Sequence, residues 1–160
     1  MEQSIKQLRK SIGMTQAEVA SLTGIPLRTY VNYENDANKE GSIKYKYIIH
    51  ELERISFVDE THGILKVDDI VAKCAAIFEE YPVSYCYLFG SYANGTATER
   101  SDIDLLISTE VTGIRFYGLT ERLRTALKKN IDLISTDQLS GNMELLNEVL
   151  KDGIRIYVQN

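Results

Sequence analysis

Positive charge is in short supply. The 160-residue chain carries 18 Lys+Arg against 23 Asp+Glu, a formal net charge of −5, which argues against a general nucleic-acid binder. No apolar run approaches the ~20 residues that cross a bilayer. The opening stretch MEQSIKQLRK offers no apolar segment of the kind a signal peptide needs. A cytoplasmic protein with no membrane partner is the expectation. Cysteine and histidine are scarce as well. Cys74 and Cys86 lie twelve residues apart, and His50 and His62 are isolated. That spacing suits no metal cluster and a cytosolic chain is not expected to form a disulfide, so two buried, apolar-like thiols and no zinc site are expected. Internal repeats and low-complexity tracts are also missing.

Hydrophobic residues make up 44% of the chain, enough for one ordinary domain or two small ones. Charge separates the halves. Residues 1–58 hold 8 Lys+Arg and 7 Asp+Glu, whereas residues 59–160 hold 10 and 16. The first half is therefore free to meet DNA, and the acidic second half suits cations. The polar stretch Val58-Asp59-Glu60-Thr61-His62-Gly63 has no clear period, which places a linker at about residues 57–66 between domains 1–57 and 65–160. Before it, the pattern predicts helices only. Ile5, Leu8 and Ile12 repeat at helical spacing and Gly13 stops them. Thr15 caps a second helix with Val19, Ala20 and Leu22 on its apolar face, and Gly24 ends it. Pro26 opens a third helix with Tyr30 and Tyr33, and one or two more helices run from Ile43 to Ile55.

After residue 65 helices and strands alternate. Val67–Tyr81, Phe116–Leu127 and Met143–Leu150 read as helices. Tyr85–Phe89, Asp102–Ile107, Ile131–Ile134 and Ile154–Val158 read as strands. The chain is thus α+β: an all-α N-terminal bundle, then a small α/β domain with a mixed sheet.

The chemistry concentrates at Gly90-Ser91, which follows a strand directly, and at Asp102-Ile103-Asp104 ten residues on. Glycine lets the backbone turn and approach a ligand closely; free N–H groups at a helix start, with the Ser91 hydroxyl, then suit a phosphate. Residues i and i+2 of a strand share a face, so Asp102 and Asp104 point the same way. Paired carboxylates repel unless a cation lies between them, and hard oxygen ligands suit Mg²⁺. Asp132, if its strand is adjacent, completes a triad able to hold two ions ~3.5–4 Å apart.

The stretch from Gly90 to Leu105, GSYANGTATERSDIDL, together with Ile131-Asp132-Leu133 and Gly153–Tyr157, resembles the DNA polymerase β-type nucleotidyltransferase superfamily, and within it the minimal nucleotidyltransferase (MNT) group. The resemblance implies that Gly90 and Ser91, with Ser101, hold a nucleoside triphosphate. It makes Asp102, Asp104 and Asp132 the metal-binding and catalytic acids, the last helping to deprotonate the attacking hydroxyl. Many members of that family carry a basic residue where this chain has Asn94, so one phosphate contact is either missing or supplied by Arg100.

Residues 4–56, centred on Leu8–Ala20 and Thr23–Glu34, resemble the λ-repressor-like (XRE-type) helix-turn-helix family. That resemblance implies that the helix after Gly24 enters the major groove. Gln16, Leu27, Arg28, Thr29 and Asn32 become the DNA-facing positions, Arg28 suited to guanine and Asn32 to adenine. Tyr30 and Tyr33 read as packing residues. A monomer would bind DNA weakly, so a homo-oligomer or a hetero-complex is implied.

MNT proteins with this arrangement look like antitoxins of HEPN-family toxins. The resemblance implies AMP transfer from ATP, with Mg²⁺, to a toxin tyrosine, and operon repression by the helix-turn-helix. Two rivals stand beside this reading: a small-molecule (aminoglycoside-like) nucleotidyltransferase, and a repressor whose transferase fold only docks a partner.

Overall fold

The computed structural model describes residues 3–160. Its backbone contacts divide the chain into two compact units, Met1–Phe57 and Val58–Asn160.

The first unit is helical, with α1 (Ile5–Ser11), α2 (Gln16–Thr23), α3 (Leu27–Asn35), a short 3-10 turn and α4 (Ile43–Ser56). The expected punctuation is present. Thr15 caps α2 in a reciprocal pair with Glu18, and Gly24 ends that helix in the left-handed region at φ 67°. Pro26 caps α3, and Ile43–Ser56 is one helix rather than two. Tyr30 is fully buried among Ile5, Leu8, Val19, Ile48 and Leu52, so it is a packing residue as expected. Leu22, by contrast, is 45% exposed and lies outside the core.

An ion pair that no local pattern announces ties these helices together. Arg9 grips Glu34 with two hydrogen bonds of 2.8 Å and donates a third to the Met14 carbonyl at 2.9 Å. The Gln16 amide adds a bond to Glu34 at 3.1 Å. The Glu34 side chain is fully buried, and the Arg9 guanidinium holds its carboxyl down at about 2.

The second unit contains α5 (Val67–Phe78), β1 (Val83–Phe89), α6 (Gly90–Asn94), β2 (Ile103–Thr109), α7 (Gly113–Leu127), β3 (Ile131–Ser135), α8 (Met143–Asp152) and β4 (Ile154–Val158). The strands form one sheet in the order β3-β2-β1-β4, with β2 and β3 parallel and the other pairs antiparallel. Parallel pairing needs a crossover, and α7 supplies it. Because strand side chains alternate, the sheet has two distinct faces. Cys86, Leu88, Ile103, Leu105, Ile107 and Leu133 pack against α5 and α7. Tyr87, Phe89, Leu106 and Ile134 lie on the other face with Leu145 and Val149 of α8. Both cysteines are free and buried, and burial pushes the Cys74 thiol up to about 12.

The polar segment read as a linker carries specific contacts. Asp59 accepts from the Thr61 amide at 2.8 Å and pairs with His62, Arg124 pairs with Glu60, and the buried Lys129 ammonium donates to the His62 carbonyl at 3.1 Å. Residues 58–66 therefore pack as part of the second unit. Among the described residues no helix is long and apolar enough to cross a membrane.

Candidate active site

One level of the sheet gathers the acids. In register, Asp104 of β2 faces Phe89 of β1 on one side and Asp132 of β3 on the other. Parallel neighbours at one level share a face, so Asp104 and Asp132 project together from the side that carries Phe89 and Leu106. Asp102 sits one residue before β2, exposed, while Ile103 and Leu105 are buried. The alternation expected from the sequence is present, with Asp102 at the strand's entrance.

Gly90 lies against this level. It is buried at φ 68°, and a Cβ built there would run into the Asp104 carboxylate, whose Cγ would stand only 3.0 Å from it. Absence of a side chain is what lets the carboxylate lie over the β1–α6 turn. The helix that follows has only five residues and ends at Gly95, φ 79°. Ser91 is half-buried in its first turn.

The electrostatics single out Asp104. Its carboxyl is pushed up to about 6, first by burial and then by Asp132, Glu148 and Asp102. Glu148, on α8, is the acid that sequence reasoning missed; nothing local to MELLNEVLKD distinguishes it from a solvated helix residue. Asp102 and Asp132 are exposed. The expected three-acid metal site is not drawn together: among the described residues no three His, Cys, Asp or Glu side chains converge closely enough to hold a metal ion. The donor set nonetheless fits Mg²⁺, which typically takes only one or two protein carboxylates and fills its shell with water and phosphate oxygens, and a cation would relieve the crowding around Asp104.

Ser101 and Asn94 make local hydrogen bonds. The Ser101 hydroxyl accepts from the Thr98 amide at 2.8 Å and closes the loop before Asp102. Asn94 accepts from the Thr96 amide at 3.1 Å and from its hydroxyl at 2.5 Å. Asn94 thus shapes the turn after α6, and Arg100 stays exposed.

In the first unit, Leu27, Arg28 and Asn32 are exposed along α3 and Thr29 is half-buried. Gln16 is half-buried and its amide nitrogen is held by Glu34.

The family described as Polymerase beta, Nucleotidyltransferase matches residues 72–160, more than half of the chain, and the chain belongs to that family. A Helix-turn-helix family matches residues 5–43. Among relatives, the Methanocaldococcus jannaschii protein MJ0128, named provisionally as a protein adenylyltransferase, is 36% identical over 74 residues, covering 44% of this chain and 76% of that protein. The protein adenylyltransferase MntA of Shewanella oneidensis is 34% identical over 73 residues, covering 44% of this chain and about half, 51%, of its own length. A crystal structure of a toxin-antitoxin with AMP-PNP superposes with a TM-score of 0.49 at 26% identity, over 56% of this chain and 74% of that one.

The Gly90–Asp104 contact yields a direct prediction. Gly90→Ala places a methyl group where the carboxylate now lies, and a side chain at positive φ costs about 1–2 kcal/mol in addition. Nucleotidyl transfer is expected to fall on the order of a hundredfold, the scale of a ~1 Å misplacement at a reacting centre. Circular dichroism should stay close to wild type while the transfer rate is read with α-labelled nucleotide.

Proposed function

We propose that this chain is an antitoxin-type protein adenylyltransferase, cytoplasmic, which passes AMP from ATP to a tyrosine hydroxyl of a HEPN-family toxin. The observation that carries the reading is the shared level of Asp104 and Asp132 beside Gly90. Asp102 and Asp104, with Asp132, would hold two Mg²⁺ ions, which supply activation of the attacking oxygen and neutralisation of the departing pyrophosphate. Gly90 and Ser91 would receive the triphosphate at the β1–α6 turn. Asp132, exposed beside Asp104, would take the tyrosine proton. The tyrosine oxygen bonds to the α-phosphorus, the bond from that phosphorus to the bridging oxygen breaks, and pyrophosphate leaves.

The two relatives named above, one of them only provisionally, are protein adenylyltransferases, which favours a protein acceptor over a small molecule. The test is incubation of the full chain with α-labelled ATP, Mg²⁺ and either the toxin from a neighbouring gene or a panel of aminoglycosides. Label on a toxin tyrosine is the expected result. Label on the aminoglycosides alone would overturn it.

The helix-turn-helix unit belongs to the same proposal as a repressor of the shared operon, acting in a homo-oligomer or with the toxin. Leu27, Arg28, Thr29 and Asn32 would face the major groove, with Gln16 at its edge. Arg28→Ala and Asn32→Ala are each expected to cost ~1–3 kcal/mol of operator affinity and to leave transfer unchanged. Titration of a promoter fragment at fixed salt checks this; unaltered binding by both variants would remove α3 from the interface.

A further inference from the structure

Lys129 is a fully buried lysine that the proposed chemistry does not use. It follows Lys128, which leaves α7 in the left-handed conformation at φ 55° and so turns the chain inward. A buried ammonium is costly unless its protons are well occupied. Here they reach two backbone carbonyls from distant segments, His62 at 3.1 Å and Glu99 at 2.5 Å. The same two segments meet again where the Gly63 amide donates to the Glu99 carboxylate at 3.2 Å. One residue past Lys129, the Asn130 carbonyl accepts from the Ile103 amide at 2.9 Å.

These contacts converge on the acids. Glu99 lies inside the turn, closed by Thr98 and Ser101, that delivers Asp102. Asn130 joins the entrance of β3, which carries Asp132, to the entrance of β2, which carries Asp104. A leucine or methionine would fill the same volume at lower cost but would take the ammonium donor from both carbonyls and undo the link between their segments, although the His62 carbonyl would keep the Asp59 amide at 3.0 Å. We propose that Lys129 is a positioning residue for nucleotidyl transfer: its ammonium group, clamping the His62 and Glu99 carbonyls beside the start of β3, fixes Asp102 relative to Asp104 and Asp132. This inference rests on the reading of those acids given above.

The experiment uses the full chain with Lys129→Met, and with Lys129→Gln, which keeps an N–H donor, as the second variant and the one used if the methionine protein does not fold. Cys74→Ala, a cavity elsewhere in the same core, is the control for lost stability. Binding of ATP–Mg²⁺ by calorimetry, amide chemical shifts of Asp102 and Asp132 in metal-free protein, and kcat and KM for the acceptor are read in each. Loss of a supporting residue behind a ligand typically costs about 10–100-fold. Lys129→Met is therefore expected to weaken ATP–Mg²⁺ binding and lower kcat by at least about tenfold, to move both aspartate amides, and to leave the acceptor KM unchanged. Lys129→Gln should recover part of each loss, while Cys74→Ala should lose stability without these changes. Binding and kcat within twofold of wild type in the lysine variants, or a Cys74→Ala protein impaired to the same degree, would overturn the proposal. If Asp102→Asn and Asp104→Asn are also as active as wild type, the assignment of the acids has failed instead.

Discussion

Asp104→Asn is expected to reduce AMP transfer by about 10³-fold or more while making the nucleotide-free protein more stable at neutral pH. The two effects share one cause. Asp104 lies under the sheet's second face, against Gly90, with its carboxyl pushed up to about 6 by burial and then by Asp132, Glu148 and Asp102. A carboxyl whose folded pKa exceeds its unfolded one binds a proton more readily in the fold. Its charge therefore penalises folding fully above pH 6, and the penalty fades as pH falls toward the ordinary aspartate value near 4. With allowance for partial solvent screening the gain in Asp104→Asn is on the order of 1 kcal/mol at pH 7.5. Thermal unfolding across pH 4–8, without divalent cations, measures it. A variant less stable than wild type at pH 7.5, or one that still transfers AMP at the wild-type rate, would contradict this account of the site.

The second large effect belongs to the first unit. Glu34→Ala leaves the half-buried Arg9 without its charge partner, and breaking a pair of this kind costs up to about 3–5 kcal/mol. A helical unit of 57 residues has little more than that to lose. We expect the variant's N-terminal unit to be unfolded at 37 °C and operator binding to vanish, with transfer by the second unit retained. Because Arg9 holds the Glu34 carboxyl at about 2, the stabilisation is complete above the ordinary glutamate range and is lost as pH falls from there through about 2. The gap between wild type and variant should close over that same interval. Proton-exchange protection of Tyr30 and Ile48 amides reports the loss directly.

What could be read in advance was whatever depends on neighbours in sequence. Thr15 and Gly24 bracket α2 because caps are local, and Asp102, Ile103, Asp104 and Leu105 alternate because strands do. Even the meeting of Asp104 with Asp132 was legible once two short apolar runs each carried an acid among β-formers. Contacts between distant segments were not. Arg9 and Glu34 are 25 residues apart and Lys129 is 67 from His62; neither pair has a periodic signature. Segment 58–66 looked like a tether because polarity resembles disorder on paper, whereas its polar groups are bonded one by one. Ser101 invited a nucleotide-binding role on motif position alone, and the turn that it helps to close with Thr98 had no signature of its own. Glu148 enters only through the packing of Leu145 and Val149 against Phe89 and Leu106.

The pairing of β2 with β3 also makes the protein a reporter of its own assembly. Those strands are parallel and joined through α7, so their alignment is set by packing rather than by a tight turn. A slip of one residue would send Asp132 into the layer beneath α5 and α7 and turn Leu133 out toward solvent. Such a molecule would keep its helices and much of its compactness, and bulk spectroscopy would count it as folded. It would have no site. The number of AMP groups transferred in a single turnover, divided by the number of chains, therefore counts correctly aligned sheets, and separates misaligned protein from active protein in any preparation.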